Sequence, residues 1–183
     1  NLFPVDRELD APCTVEGALP PGLVGSFVRN GPNPMFEPLG KYHMFDGDGM
    51  LHSVVFGEGT PRYRNRWIRS AALEAEIRQG RALYHGLAEL FEFPDPELVG
   101  DAGPIKNPAN THIVRHAGRY LALWEGGPPT DVTADLDTLG LHDFDGRLDG
   151  GMTAHPRLDP RTGEMLFFAY SPIPPYLRYH VAD

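Results

Sequence analysis

The sequence has 183 residues, and 16 lysines and arginines stand against 25 aspartates and glutamates, a net charge of −9. This balance argues against a nucleic-acid partner, because neutralising phosphates requires a basic surface. No run approaches the ~20 apolar residues that cross a bilayer, and the single cysteine, Cys13, cannot form an internal disulfide. A cytoplasmic location is therefore expected. The sequence begins at Asn1 and ends on a strand-like run over 179–183, so we expect part of a longer protein.

The first half of the chain predicts short strands joined by tight turns, because its many glycines and prolines lie between short apolar runs. Residues 26–29 form the first predicted strand, and the proline-stiffened segment 30–34 forms the loop after it. The runs 42–45 and 50–56 flank the Asp-Gly-Asp-Gly segment 46–49. Glycines beside aspartates between strand-like runs are a strong hairpin signal.

Two further hairpins are predicted in the second half of the chain. Residues 111–116 and 119–125 flank the dipeptide 117–118, and the turn-rich segment 158–164 precedes the apolar run 165–170. Successive hairpins without long helices predict an all-β meander, either a propeller or a barrel.

Residues 71–93 interrupt this strand pattern. Leu73 and Ile77 are four residues apart, as are Leu83 and Leu87, which is helical spacing. Two glycines break the pattern, and two prolines end it. The segment is either a packed connecting helix or an apolar surface lip that dips into lipid.

The eight histidines supply candidate metal ligands, since imidazole nitrogen suits iron, zinc and copper. If the turn is centred on 47–48, His43 lies opposite His52. Directly opposed Cβ atoms are ~4.5–5.5 Å apart. The pair therefore either shares a metal or supports the hairpin.

His155 and Glu125 are the other two candidates. His155 precedes Pro156, which favours extended backbone, and the two glycines at 150–151 let backbone segments pack closely. It is a ligand or an ordinary core or surface histidine. Glu125 closes the run 121–125, which has apolar residues on both faces. Its carboxylate needs an arginine, solvent at the strand end or a metal-bound imidazole as partner.

Several segments resemble, in order, the signature blocks of the carotenoid cleavage oxygenase family. They are Gly-Ser-Phe-Val-Arg-Asn-Gly-Pro-Asn-Pro at 25–34, Tyr-His-Met-Phe-Asp-Gly-Asp-Gly-Met-Leu-His at 42–52, Asn-Thr at 110–111, Ala-Leu-Trp-Glu-Gly-Gly at 122–127 and Thr-Ala-His-Pro at 153–156. The blocks cover nearly the whole chain. The sequence is therefore similar to the N-terminal part of this family, which includes carotenoid, apocarotenoid and lignostilbene dioxygenases.

This resemblance implies a seven-bladed β-propeller, an all-β fold, in which residues 1–183 supply the N-terminal blades and 71–93 part of a helical and loop cap. It also implies Fe(II) on the propeller axis, held by four histidines without a carboxylate. His155 takes the position of the first metal ligand, and the other three ligands are expected outside this chain. Glu125 is expected to orient one of those outer histidines.

The implied reaction is cleavage of an alkene double bond by O₂ to give two carbonyl products. A carotenoid or apocarotenoid is the expected substrate. Stilbene-cleaving relatives engage a phenolic hydroxyl through a lysine and a tyrosine, for which this chain offers Lys106 and, in the tyrosine position, Leu73. A metal-free propeller that binds apolar ligands is the non-enzymatic alternative. The isolated 183 residues are expected to be inactive, because one imidazole cannot hold iron.

The resemblance also bears on the histidine pair, and the apolar segment bears on membrane contact. In the family pattern His43 and His52 belong to a structural hairpin, which favours the second interpretation of that pair. Peripheral contact of a cytoplasmic protein with a membrane is expected through the apolar side chains Leu83, Leu87, Leu90 and Phe91.

Overall fold

The computed structural model describes residues 3–57 and 59–183; Asn1, Leu2 and Glu58 lie outside the described residues. The described chain is built mainly from strands in three antiparallel sheets. The strands are β1 (Asp10–Pro12), β2 (Gly25–Pro32), β3 (Gly49–Phe56), β4 (Arg62–Trp67), β5 (His112–His116), β6 (Arg119–Leu123), β7 (Thr130–Val132), β8 (Thr138–Leu141), β9 (Arg157–Leu158), β10 (Met165–Tyr170) and β11 (Leu177–Ala182). The helical segments are α1 (Ala71–Gln79), α2 (Pro96–Val99) and single 3₁₀ turns at Leu87–Glu89 and Gly100–Ala102.

The three sheets follow one another along the chain; the second and third are meanders, and the first is the meander β2-β3-β4 with β1 added beside β4. The first sheet has the order β1-β4-β3-β2, the second β5-β6-β7-β8 and the third β11-β10-β9. This arrangement confirms the predicted all-β meander. One boundary differs: β2 continues to Pro32 instead of ending at Arg29, so the loop expected over 30–34 begins only after Pro32.

Two of the predicted hairpins are confirmed. β5 and β6 are joined by Ala117 and Gly118, whose φ angles of 46° and 78° are both left-handed. Two left-handed central residues define the turn whose twist matches that of the flanking strands. β9 and β10 are joined by 159–164, where the Asp159 N–H donates a hydrogen bond to the Glu164 carbonyl at 2.8 Å.

The hairpin predicted to bring His43 opposite His52 is wrong. β3 lies between β2 and β4, so His52 is opposite Arg29 on one side and Asn65 on the other. The His52 ring instead hydrogen-bonds through Nδ1 to the Tyr63 hydroxyl at 2.7 Å. The two histidines therefore form no cross-strand pair for a metal.

Asp46 gives the physical reason for this difference. Its Oδ2 accepts a hydrogen bond from the His43 backbone N–H at 2.7 Å, and its Oδ1 accepts one from the Leu87 N–H at 2.9 Å. Both edges of β3 are already paired, which leaves no place for 42–45 as a strand. The Asp-Gly-Asp-Gly segment is therefore a turn whose Asp46 side chain is hydrogen-bonded to the segment after α1.

The segment 71–93 is helical only in its first part. The Ser70 hydroxyl caps α1 by accepting a hydrogen bond from the Leu73 N–H at 3.2 Å. Gly80 ends the helix with a left-handed φ of 67°, a conformation that glycine adopts without strain. The Leu83–Leu87 spacing therefore does not reflect a helix. No helix within 3–57 and 59–183 has the length and apolar character needed to span a membrane.

The predicted membrane contact is wrong for Leu83. Its side chain is 5% exposed and packs in a buried cluster with Ala72, Ala75, Tyr84 and Val99. It therefore belongs to the core beneath the cap, because burial against α1 and α2 removes it from any surface that could meet lipid.

The strand β6 is buried on both faces, as its apolar run predicted. Leu121 and Leu123 pack toward the third sheet in a cluster that includes Met165, whereas Ala122 packs toward the first sheet with Leu51. Burying a large apolar side chain contributes ~1.5–3 kcal/mol. These contacts fix the end of β6 against its two neighbouring sheets.

Candidate functional site

Glu125 lies just beyond the end of β6, in a turn that contacts the segment before β9. The Met152 N–H donates a hydrogen bond to the Gly127 carbonyl at 3.1 Å, and the Thr153 N–H donates to the Phe168 carbonyl at 2.9 Å. Residues 151–155 therefore connect the Glu125 turn of the second sheet to β10 of the third sheet.

Gly151 is the point of closest approach between these two segments. A Cβ atom at this position would lie 3.1 Å from the carbonyl carbon of Gly126 and 3.2 Å from its oxygen. These distances are shorter than ordinary van der Waals contact, so glycine is what allows the backbones to pack together. The close packing expected of the glycines before His155 is therefore present.

Glu125 is the centre of a hydrogen-bonded group. Its Oε1 lies 3.0 Å from Nε2 of His155. Its Oε2 accepts hydrogen bonds from the Tyr170 hydroxyl at 2.8 Å and from the Thr153 hydroxyl at 3.2 Å. The Thr153 oxygen also accepts a hydrogen bond from the His155 backbone N–H at 3.3 Å, so the backbone of the histidine is tied to the same group.

The site is exposed at His155 and buried beneath it. The His155 side chain is 70% exposed and that of Glu125 33%, whereas Thr153 is 1% exposed. Loss of hydration, with the hydrogen bond to negatively charged Glu125, raises the pKa of Tyr170 to about 12. Burial, with a smaller electrostatic effect of His155, lowers the pKa of His112, which lies opposite Leu123 at the end of β6.

The structure therefore brings two of the sequence-predicted site residues together. Glu125 was expected to orient a histidine outside this chain, and the partner that the structure provides within the chain is His155 itself. The 3.0 Å approach of Nε2 of His155 to Oε1 of Glu125 lacks the geometry of a hydrogen bond. The expected role of Glu125 toward a histidine outside this chain stays a prediction.

This arrangement fits a metal as one member of a ligand set. Among residues 3–57 and 59–183, no three histidine, cysteine or acidic side chains converge as a metal site requires. A neutral imidazole backed by a carboxylate is a suitable ligand for iron or zinc. His155 can thus supply one ligand, and further ligands have to come from other residues.

Lys106, the candidate substrate-binding residue, lies away from this pair in a buried ion cluster. Its Nζ is 2.6 Å from Oδ1 of Asp48 and 2.6 Å from Oε2 of Glu76. Burial alone would lower the pKa of Lys106, but the two carboxylates outweigh that effect and raise the pKa. The same Glu76 accepts a hydrogen bond from the Leu83 N–H at 2.9 Å, so the cluster links α1 to the segment after it.

A cleft opens at the surface of the cap. Its walls are mainly apolar, with Asp46, Glu76 and Lys106 as charged members, and Trp124 lies at one side. The other apolar lining residues include Phe36, Leu39, Leu87, Leu90 and Ile105. Glu125 and His155 are not among the residues that line it.

An exposed apolar lip borders this cleft. Phe91 is 86% exposed and Phe93 57%, and Leu87 and Leu90 are nearly half exposed. Three of the four residues predicted to contact a membrane therefore lie at the surface, and Leu83 does not.

Sequence reasoning missed the residues that hold Glu125 and those that pair with Lys106. Tyr170 ends β10 in a run that reads as an ordinary core strand, and no local signal links it to Glu125. Asp48 stands in the glycine–aspartate turn, and Glu76 lies in α1 among the buried residues Ala72, Leu73 and Ala75. A charged residue on the packed face of a short helix is the one signal that pointed to a buried partner.

Three antiparallel sheets in succession, with His155 beside Glu125 between the second and third, define the chain as part of a β-propeller with a candidate metal-binding position. Comparison with known proteins identifies the group. The model of the retinal pigment epithelial membrane protein (RPE65) family matches residues 2–183, and the chain belongs to this family.

Individual relatives agree with this assignment. The chain is 41% identical over 182 residues to carotenoid 9,10(9',10')-cleavage dioxygenase 1 of Arabidopsis thaliana, a match that covers 91% of this chain and 34% of the relative. Lignostilbene dioxygenase of Pseudomonas brassicacearum superposes with a TM-score of 0.83 at 35% identity, covering 91% of this chain and 35% of that one. These matches confirm the resemblance and identify the three sheets as N-terminal blades.

A third relative carries a metal. The cobalt-substituted Synechocystis apocarotenoid oxygenase superposes with a TM-score of 0.77 at 28% identity, covering 99% of this chain and 43% of that one. A metal therefore binds within this family. The chain spans about a third of the length of the curated relatives it matches.

Proposed function

We propose that the intact protein uses non-haem Fe(II) and O₂ to cleave an alkene double bond of a carotenoid or apocarotenoid into two carbonyl products. The observation that carries the proposal is the 3.0 Å contact between Nε2 of His155 and Oε1 of Glu125, in a family that contains carotenoid cleavage dioxygenases. Bound Fe(II) would supply activation of O₂, for which a non-haem site keeps open coordination positions.

The residues of this chain would prepare one ligand of that iron. His155 would be one of the ligands, and the Glu125 carboxylate lies 3.0 Å from its ring. The other histidine ligands are expected from the part of the protein outside this chain.

The apolar cleft supports an apolar substrate. It is lined by Leu87 and Leu90 of the lip and by Trp124, so a polyene entering at the lip would be shielded from water there. Apolar pockets with few charged groups bind apolar ligands, because burial of the ligand removes its surface from water.

Lys106 favours a carotenoid-type substrate over a hydroxystilbene. Its charge is already matched by two carboxylates, and Leu73, in the position expected for a tyrosine, is fully buried. Neither residue is free to engage a phenol. Stilbene cleavage is the second candidate, favoured by the likeness to a lignostilbene dioxygenase. Initial rates of the intact protein with an apocarotenal and with a hydroxystilbene, measured side by side, separate the two.

We also propose that the intact protein is a cytoplasmic protein that contacts membranes through the exposed lip at Leu87, Leu90 and Phe91. The lip borders the mouth of the cleft, so docking there would bring a lipid-dissolved substrate to the site. With a net charge of −9, binding is expected to rest on apolar insertion and not on attraction to anionic lipids.

The metal assignment is tested by iron analysis of the intact protein and of His155→Ala. We expect near-stoichiometric iron in the unmodified protein and loss of both iron and cleavage in the variant, since one of few ligands is removed. His142→Ala, a histidine in the loop after β8, is the matched control and keeps its iron. Unchanged iron in His155→Ala would refute the ligand role, and absence of iron from the unmodified protein would favour a metal-free binder.

A further inference from the structure

We propose that Asp46 and Glu89 form a clasp across the mouth of the apolar cleft, which limits how fast an apolar ligand enters and how wide that ligand can be. The inference rests on the proposed function only in taking the cleft as the route of the substrate. It assigns a role to two carboxylates of the cap that take no part in the group around Glu125.

Two irregular segments face each other at the mouth of the cleft. One is the loop 36–46 and the other is the segment 85–90, and each lines the cleft with apolar side chains. Apart from a single 3₁₀ turn in the second segment and an isolated bridge between Leu39 and His85, neither of these described segments lies in a helix or a sheet. Contacts between side chains and backbone therefore have to hold the two walls together.

Each segment extends one carboxylate onto the backbone of the other. Oδ1 of Asp46, in the loop, accepts a hydrogen bond from the Leu87 N–H at 2.9 Å. Oε2 of Glu89, in the second segment, accepts one from the Lys41 N–H at 3.2 Å. The two hydrogen bonds run in opposite directions across the mouth, so the walls separate there only when both are broken.

A glycine leaves room for each carboxylate. A Cβ atom on Gly86 would overlap the carboxylate of Asp46, and a Cβ atom on Gly40 would overlap that of Glu89. Gly86 has an extended backbone, with φ of −84° and ψ of −172°, which is open to any residue. Glycine is therefore needed at position 86 for the space that the Asp46 carboxylate occupies, and not for its backbone conformation.

Both carboxylates are also held on their own segment. The His43 N–H donates a hydrogen bond to Oδ2 of Asp46 at 2.7 Å, and Nδ1 of His85 hydrogen-bonds to Oε2 of Glu89 at 2.9 Å. The hydrogen bonds from His85 and from the Lys41 backbone lower the pKa of Glu89, so this carboxylate is ionised at neutral pH. Hydrogen bonds to a charged acceptor are stronger than neutral ones, which suits them to join segments that share no sheet.

Two substitutions in the intact protein release the clasp from opposite sides. Gly86→Ala keeps the backbone conformation and displaces the Asp46 carboxylate, whereas Glu89→Ala removes the other carboxylate. Gly57→Ala is the control for the first, because an added Cβ there meets no neighbour among the described residues. Glu92→Ala is the control for the second, since Glu92 is 64% exposed and its loss removes the same charge close by.

Uptake of two fluorescent polyenes by the intact protein without O₂, followed by stopped-flow fluorescence, measures entry in the absence of cleavage. Parinaric acid methyl ester is a linear polyene, and diphenylhexatriene carries a wide ring at each end. Losing one hydrogen bond to a charged group shifts an opening equilibrium about tenfold, so we expect about tenfold faster uptake of diphenylhexatriene in Gly86→Ala and Glu89→Ala. The linear ester should gain less, because it needs a narrower opening, and both controls should match the unmodified protein.

Several results would overturn the inference. Unchanged uptake in both clasp variants would do so, and so would slower uptake, because the clasp would then build the cleft instead of restricting it. An equal gain for both polyenes would refute the limit on width, and no uptake by any of the proteins would leave no entry to restrict. If Gly86→Ala does not fold, Glu89→Ala decides. Iron content and cleavage, measured on the same preparations, test the proposed function separately, since uptake requires neither.

Discussion

Lys106→Met is expected to lower the stability of the fold strongly, because it removes a cation buried between two carboxylates. Methionine keeps most of the side-chain volume and removes the positive charge between Asp48 and Glu76. The side chains of Lys106, Asp48 and Glu76 are only 15%, 5% and 2% exposed. Two carboxylates would then face each other in the interior without a cation.

The expected magnitude follows from this burial. Removing one partner of a buried ion pair costs ~3–5 kcal/mol, because the remaining charge is left uncompensated. Glu76 keeps its hydrogen bond from the Leu83 N–H, and Asp48 keeps one from the Met35 N–H at 3.1 Å. Oδ1 of Asp48, however, has no directed hydrogen bond within the described residues and depends on the Lys106 charge. We therefore expect the upper part of this range.

Urea unfolding of the intact protein, followed by tryptophan fluorescence, measures the effect. Lys41→Met is the matched control, because the chain has only two lysines and Lys41 is exposed; it should change stability by less than ~0.5 kcal/mol. Glu76→Gln removes one of two negative charges around a single cation and should cost less than Lys106→Met. Equal stability of the two lysine variants would show that the cluster does not support the fold.

The raised pKa of Lys106 predicts how the stability that this residue contributes depends on pH. The folded-state pKa of Lys106 is raised above its ordinary value of 10.5, so the folded protein holds this proton more tightly than the unfolded chain. The stabilisation is therefore fully present below pH 10.5 and is lost as the pH rises through the folded-state pKa. The stability difference between the unmodified protein and Lys106→Met should be constant at neutral pH and shrink only in strong alkali.

Two further predictions concern the close backbone approach and the lip. Gly151→Ala places a methyl group 3.1 Å from the Gly126 carbonyl carbon, and the backbone shift that relieves this contact should cost ~1–3 kcal/mol of stability. We expect a lower thermal midpoint and faster iron release. An unchanged midpoint would contradict the close packing. Phe91→Ser should weaken binding to phosphatidylcholine vesicles by about thirtyfold, since burying a phenylalanine contributes ~2 kcal/mol. Phe3→Ser, which is equally exposed, should leave vesicle binding unchanged in a flotation assay.

Local sequence signals were sufficient for the second and third sheets. The Ala117-Gly118 dipeptide adopts two left-handed conformations and closes a two-residue hairpin, as its position between apolar runs indicated. The run 121–125 has buried residues on both faces because β6 is covered by a sheet on each side. In these elements the turn chemistry and the apolar pattern agree, so the sequence determines both the pairing and the burial.

The first sheet could not be predicted in the same way. The glycine–aspartate segment before β3 has the composition of a hairpin turn, but β3 pairs with β2 and β4. Asp46 instead binds the backbone of Leu87, 41 residues further along the chain. A turn signal states where the chain bends, and not which strand it approaches after the bend. For this reason the sequence alone could not show that His43 and His52 lie apart.

The Glu125–His155 pair shows the same distinction within the candidate site. The family motifs identified each residue separately, but their contact depends on Gly151, which lets the segment before β9 lie against the Glu125 turn. The support from Tyr170 crosses from the third sheet to a residue 45 positions earlier. The hydroxyl of Tyr170 reaches Glu125 only because the second and third sheets pack together. The packing of the two sheets therefore sets where the Glu125 carboxylate lies, so a change that separates them should break the Tyr170–Glu125 hydrogen bond even when every residue of the motifs is intact.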